Sequence, residues 1–167
     1  MSFTIYEASI PPMIRALANL SKILDKAAEQ AEKKNIPLDY LVQARLAPDM
    51  RPLSFQIQTA SDTSKGCAAR LAGITAPAMA DTEKSFPELK ERIAKTVAFM
   101  ESIKPEQLAG AETREIVLKF PSGEMKFTGT DYVTGFALPN FYFHVTTAYT
   151  ILRHNGIEIG KRDFLGG

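Results

Sequence analysis

Residues 131–154, DYVTGFALPNFYFHVTTAYTILRH, decide the fold of this chain because they predict a long amphipathic helix. Thr130 is a candidate N-cap, and Asn155-Gly156 forms a stop signal after the last turn. Pro139 lies inside the helix and predicts a kink or a local break. The apolar positions recur at intervals of three and four, which places them on one stripe of the helix: Leu138, Phe141, Val145, Ala148 and Leu152.

Three earlier segments show the same helical period, at positions 10–31, 53–74 and 86–103. Pro11 and Pro12 suit the first turn of a helix, so residues 3–9 are predicted to form a short separate turn. Residues 35–51 connect the first two helices, with a short helix predicted at 38–42. Together with the last helix, these segments predict a four-helix bundle.

Between the third and the last helix the apolar period changes to two, which predicts a β-hairpin over about residues 115–128. Pro121-Ser122-Gly123 supplies the tight connection between its strands. The predicted fold class is therefore an all-α four-helix bundle with a β-hairpin inserted before the last helix. Residues 1–167 are predicted to form one domain, a length sufficient to bury a proper core.

The composition is that of an ordinary globular protein and excludes several classes of function. Lys and Arg total 20 against 19 Asp and Glu, so the formal net charge is +1 and a nucleic-acid-binding protein is not expected. No apolar run approaches the roughly 18 residues that span a bilayer, and the first residues do not resemble a signal peptide. Cys67 is the single cysteine, which fits a reducing compartment. A cytoplasmic protein without a membrane partner is the expectation.

Asn140 and His144 lie one turn apart on the flank of the apolar stripe of the last helix, so both can face the bundle interior. One interpretation makes His144 a catalytic base or a metal ligand assisted by the amide of Asn140. The other makes it a core histidine whose ring nitrogens are satisfied by neighbouring polar groups. Gln56 is the polar side chain of the second helix that is expected to point inward. His154 lies too far along the helix to share an ion with His144.

Other polar residues have competing interpretations. Asp49 is expected to pair with Arg45 or Arg51 and to cap the second helix, or else Arg45 reaches across the mouth of the bundle to bind an anionic ligand. Asp62 points away from the apolar stripe and is expected to be a surface carboxylate. Cys67 lies on that stripe, among neighbours that favour a buried, inert thiol over a reactive one or a metal ligand.

Three motifs carry a resemblance to a known family that covers essentially the whole chain: RLAPDM at 45–50, NFYFHVTTAYTILRHNG at 140–156 and GKRDFLG at 160–166. They resemble an uncharacterised domain-of-unknown-function family that is similar in fold to the DinB/YfiT-like metalloenzyme superfamily. Metal-binding members of that superfamily place one histidine on helix two and a His-x3-His pair on the last helix. The second histidine of the pair matches His144, but the first falls on Asn140, and the second helix of this chain contains no histidine.

The resemblance therefore implies a bundle that lacks the three-histidine centre. Two hypotheses follow. The first is a protein that binds a small molecule in a polar pocket formed by Asn140, His144, Gln56 and Arg45, with no cofactor. The second is a DinB-like enzyme that acts on a small organic or thiol substrate, with His144 as the catalytic residue or as a weak site for a divalent metal with oxygen ligands. The resemblance also implies a homodimer.

Overall fold

The computed structural model describes residues 3–167, and it confirms a helical bundle that carries one small antiparallel hairpin. Four long helices build the bundle: α1 (Ile5–Lys33), α3 (Leu53–Ala72), α4 (Phe86–Ser102) and α6 (Leu138–His154). Short elements connect them: α2 (Leu38–Gln43), a 3-10 turn (Pro105–Leu108), strands β1 (Ile116–Phe120) and β2 (Gly123–Phe127), α5 (Gly129–Tyr132), a π turn (Val133–Ala137) and α7 (Lys161–Leu165).

The apolar stripes of the four long helices meet in one core. Helix α3 packs against both α4 and α6, and α1 closes the bundle against α4 and α6. Burying each large apolar side chain contributes about 1.5–3 kcal/mol, which is the main force that holds the helices together. The fully buried side chains include Met13, Leu17, Leu20, Leu24, Leu53, Ile57, Leu71 and Phe141.

Helix α1 starts earlier than the sequence predicted. Residues 3–9 were expected to form a separate turn, but the helix begins at Ile5 and runs through Pro11 and Pro12. Thr4 and Glu7 explain the difference, because they form a capping box in which each side chain bonds the other residue's backbone N–H. The spacing Thr-x-x-Glu was the signal for this start.

The last helix is continuous from α5 through the π turn into α6, and Pro139 is the second residue after that turn. Thr128, and not the predicted Thr130, is its N-cap, because the Thr128 side chain accepts from the N–H of Asp131. Proline has no N–H to donate four residues back, so a wider turn at this point removes the need for that bond. The predicted local break is therefore a π turn within an unbroken helix.

The hairpin lies beside the start of this helix. Strands β1 and β2 pair antiparallel, with Ile116 opposite Phe127 and Leu118 opposite Met125. Phe127 packs against Tyr132 and Phe136, with ring centroids 6.1 Å apart in both pairs. This aromatic contact places the hairpin against the face of the last helix that leads to Asn140.

Candidate functional site

His144 is held by a chain of two hydrogen bonds to the start of α3. Its Nδ1 lies 2.7 Å from Oε1 of Gln56, whose Nε2 donates to the backbone carbonyl of Arg51 at 2.9 Å. A carbonyl oxygen only accepts, so it fixes the amide of Gln56 with its NH₂ toward Arg51 and its oxygen toward His144. The imidazole must then carry its proton on Nδ1. The second ring nitrogen, Nε2, is left with its lone pair and has no hydrogen-bond partner among residues 3–167.

The surroundings of His144 favour a neutral ring. The residue is 9% exposed, and the rings of Phe55 and Phe143 meet it edge-on at centroid distances of 6.1 and 5.2 Å. Burial lowers the pKa of His144 from its ordinary value of 6.5. A neutral imidazole with a fixed tautomer is the form that accepts a proton or binds an electrophile.

Lowering the pH from about 7 to 5 is expected to reduce stability through His144. Because the pKa of His144 is lower in the folded than in the unfolded state, the unfolded chain takes up the proton first. The stability contributed by the neutral ring is thus present above the unfolded pKa of about 6.5 and is lost as the pH falls below it. Urea unfolding at pH 7.5, 6.5 and 5.5 measures this loss, which H144Q should abolish.

The matched control for this prediction is H154Q, which removes the other histidine of the chain, an exposed residue in the last turn of α6. It should keep the dependence on pH between 7.5 and 5.5. An equal slope in wild type and H144Q would contradict the prediction. Carboxylates such as Glu83, whose pKa lies below 4.5, take up protons at lower pH and therefore affect stability little between pH 7.5 and 5.5.

Asn140 lies in the preceding turn of α6, and it contacts a different part of α3. Its Nδ2 donates to Oγ1 of Thr63 at 2.8 Å, seven residues along α3 from Gln56. The two antiparallel helices therefore form two polar contacts in a row, one at Asn140 and one at His144. Periodicity placed Gln56 inside the bundle, and the residue is 2% exposed and bonded to His144, so that expectation is confirmed.

A cleft of about 230 Å³ opens beside Asn140, between α3, α6 and the hairpin. Its polar lining includes Thr63, Arg70 and Asn140, and its apolar wall includes Phe120 and Phe136. His144 lies one turn farther along α6 and does not line this cleft. The sequence predicted one polar pocket around both residues. In the structure Asn140 lines a cleft, whereas His144 is buried beside it and does not belong to the cleft.

Arg45 does not reach the bundle interior. Its side chain is exposed and donates to the carbonyl of Met50 at 2.6 Å, within its own connecting segment. This local bond is available without ordering a long side chain across the mouth of the bundle. The predicted cap by Asp49 is also wrong, because the N-cap of α3 is Pro52 and no side chain caps this helix.

Asp62 points away from the apolar stripe with 41% of its side chain exposed, as predicted, but it also forms ion pairs. Its Oδ1 lies 2.7 Å from Nζ of Lys65 and 2.8 Å from Nη2 of Arg92, a guanidinium on α4 that is 2% exposed. Arg92 also binds Asp81 and Glu83 in the segment between α3 and α4. Periodicity analysis missed Arg92, although its signal was present: a charged residue three positions after Leu89 on the apolar stripe of α4.

The donor groups present do not fit a divalent metal centre of the three-histidine kind. Oε1 of Gln56 is engaged by His144, and the Nδ2 of Asn140 by Thr63. His144 is the one histidine in this part of the bundle, so two of the three imidazole ligands are missing. Within residues 3–167, no group of three or more His, Cys, Asp or Glu side chains is arranged to hold a metal ion. Burial raises the pKa of the Cys67 thiol to about 12, so this thiol is inert.

The family model that matches this chain is "Domain of unknown function (DUF1993)", over residues 5–165. The chain belongs to this family. A search of curated proteins gives no match. Among solved structures, the chain is similar to a DinB family member protein from Shewanella denitrificans, with 41% sequence identity and a TM-score of 0.91.

That alignment covers 98% of this chain and 92% of the Shewanella chain. The match confirms the DinB-like fold of this DUF1993 protein, and with it the resemblance inferred from the three motifs. Across residues 3–167, no helix combines the length and the apolar character that a membrane span requires.

Proposed function

We propose that this DUF1993 protein binds a small organic molecule in the cleft beside Asn140, without a complete metal site. The observation that carries the proposal is the lining of the cleft, where an apolar wall of Phe120 and Phe136 faces the polar groups of Thr63 and Asn140. Small-molecule sites combine such walls with a few placed polar groups. The bond from Asn140 to Thr63 holds one of these groups in position.

A fragment screen by protein-observed NMR tests this proposal. Binders are expected to shift resonances of residues around the cleft, and N140A is expected to weaken them at least fivefold because it removes a polar group of the site and frees Thr63. The matched control is T146A, an exposed residue on the same helix that does not line the cleft. Equal affinity of N140A and wild type, or binders that map elsewhere, would contradict the proposal.

We also propose, as a second candidate function, that His144 acts as a general base on a small organic or thiol substrate. The fixed Nδ1–H tautomer supports this, because it leaves the basic lone pair on Nε2 of a neutral ring. Substituting Gln56 by leucine removes the acceptor that fixes the tautomer and is expected to convert part of the ring to the Nε2–H form. Nitrogen-15 chemical shifts of the ring measure this change, and an unchanged tautomer in Q56L would contradict it.

A homodimer and a cytoplasmic location belong to the same proposal. The first rests on analogy with DinB-like proteins, and light scattering of the purified protein tests it. The second rests on the single unpaired Cys67, which suits a reducing compartment.

A further inference from the structure

The charged groups around the Asn140 cleft favour a ligand with negative charge. Arg70 and Lys119 line the cleft as cations, and Asp62 is its one acidic lining residue within the described part of the chain. Asp62 is paired with Lys65 and Arg92, each within 2.8 Å of its Oδ1, although Arg92 is shared with Asp81 and Glu83. Lys119 is 79% exposed and only loosely paired, 3.5 Å from Glu124. Arg70 forms no ion pair among residues 3–167, so its positive charge remains for a ligand.

Two hydroxyl groups that line the cleft keep a hydrogen to donate to a ligand. Oγ1 of Thr63 accepts from Asn140, and the hydroxyl oxygen of Tyr132 accepts from Nη1 of Arg70 at 3.2 Å. Each hydroxyl still has its own hydrogen to donate. Burial raises the pKa of Tyr132 to about 12, so its hydroxyl stays protonated near neutral pH. A ligand that accepts hydrogen bonds can bind these two hydroxyl donors.

Gly66 shows that the position of Arg70 is built into α3. It lies in the middle of this helix, where glycine is unfavourable compared with alanine. A Cβ at this position would lie 2.5 Å from Nη1 of Arg70, so the guanidinium folds back over the space that the missing side chain leaves. Helix α3 thus has a poor helix-forming residue at position 66, and the absence of a side chain there allows Arg70 to lie beside Tyr132.

The other wall of the cleft is apolar and is built from two aromatic rings whose planes are tilted by 57°. The rings of Phe120, on the hairpin, and Phe136, in the π turn, lie 6.3 Å apart between centroids. Both rings line the cleft together with Leu118. An aromatic or other flat apolar body packs well against such a wall.

We infer that the ligand of this cleft is a small organic carboxylate with a flat apolar body, its carboxylate bound by Arg70 and its body packed on Phe120 and Phe136. This rests on the proposed small-molecule function and names its ligand class. Arginine suits this role because its planar fork binds a carboxylate through two parallel hydrogen bonds.

Three probes that share a phenyl ring and differ in charge test the inference: benzoate, benzamide and benzylammonium. Ligand-observed NMR titration is expected to show benzoate binding at least tenfold tighter than benzylammonium, with benzamide between them. R70Q is expected to reduce the affinity for benzoate at least tenfold. The matched control is K126Q, which removes a lysine of the same hairpin that lies outside this cleft and is expected to leave the affinity unchanged.

G66A provides a second variant that does not depend on removing a charge. It is expected to keep or raise the thermal midpoint, because alanine is the better helix residue, while reducing benzoate affinity at least threefold by displacing the guanidinium. Unchanged benzoate affinity in both R70Q and G66A would overturn the inference. Equal binding of all three probes at the cleft would overturn it while leaving the proposed small-molecule function intact. Failure of these probes, together with failure of a neutral fragment screen at the cleft, would overturn both.

Discussion

Replacing Arg92 by methionine is expected to lower the free energy of unfolding by about 3 kcal/mol, the lower end of the range for breaking a buried ion pair. The guanidinium bonds Asp62, Asp81 and Glu83, and also donates to the carbonyl of Ala80. Without it, Glu83 is left as a carboxylate that is 12% exposed. The estimate lies at the lower end because the other two carboxylates, 41% and 57% exposed, can be hydrated in the variant.

Urea unfolding followed by circular dichroism measures this effect, with K95M as the matched control. Lys95 lies three residues farther along α4 and pairs with Glu91 in solvent, both side chains being 63% exposed. Exposed pairs of this kind contribute at most about 0.5 kcal/mol, so K95M should unfold almost as the wild type does. A loss below about 1 kcal/mol in R92M would show that the cluster does not stabilise the fold.

The same substitution should also change how stability depends on acid. Burial alone raises the pKa of Glu83, but hydrogen bonds from Arg92 and Gln58 outweigh it and hold that pKa below 4.5. Stability from this carboxylate is therefore present above pH 4.5 and is lost as the pH falls through the folded pKa. R92M removes the main group that lowers the pKa of Glu83. The free energy of unfolding of R92M should therefore fall less steeply than that of the wild type as the pH drops below 4.5.

Periodicity predicted the four helices and the inward position of His144 and Gln56 because both are consequences of how helices bury one face. The same rule placed Asp62 on the outside, where 41% of its side chain is exposed, but it did not predict the ion pair with Arg92. Asp62 points away from the bundle axis, but the segment between α3 and α4 covers that side and carries Asp81 and Glu83 toward Arg92. A segment without regular structure has no period, so its packing could not be read from the sequence.

The cleft beside Asn140 could not be predicted from the sequence, for a related reason. It depends on how the hairpin packs against the last helix, and on the π turn that precedes Pro139. The sequence predicted a disturbance at Pro139, but not that it would be an inserted wide turn carrying Phe136. Arg45 was assigned to the site because it is a long cation near the bundle mouth, and a nearby backbone carbonyl binds it instead.

Replacing Gly129 by alanine is expected to lower the free energy of unfolding by at least about 2 kcal/mol, as overpacking against rigid backbone does. A Cβ at this position would lie 1.8 Å from the carbonyl oxygen of Ala111, a distance that no side-chain adjustment relieves. A backbone hydrogen bond next to this contact holds the two segments together, since the N–H of Thr130 donates to the carbonyl of Glu112 at 3.1 Å. Relief requires moving the start of the last helix away from the segment at 111–112.

Gly135 is the matched control, because it lies six residues farther along the same continuous helix and an added Cβ there meets no heavy atom within 4 Å. G135A is expected to leave stability unchanged or to raise it by up to about 1 kcal/mol, since alanine restricts the unfolded chain. Thermal and urea unfolding of both variants measure the contrast. Similar stabilities for G129A and G135A would show that the backbone at Ala111 can move aside. The start of the last helix, which positions Tyr132, Phe136 and Asn140 in the cleft, would then not be fixed by this contact.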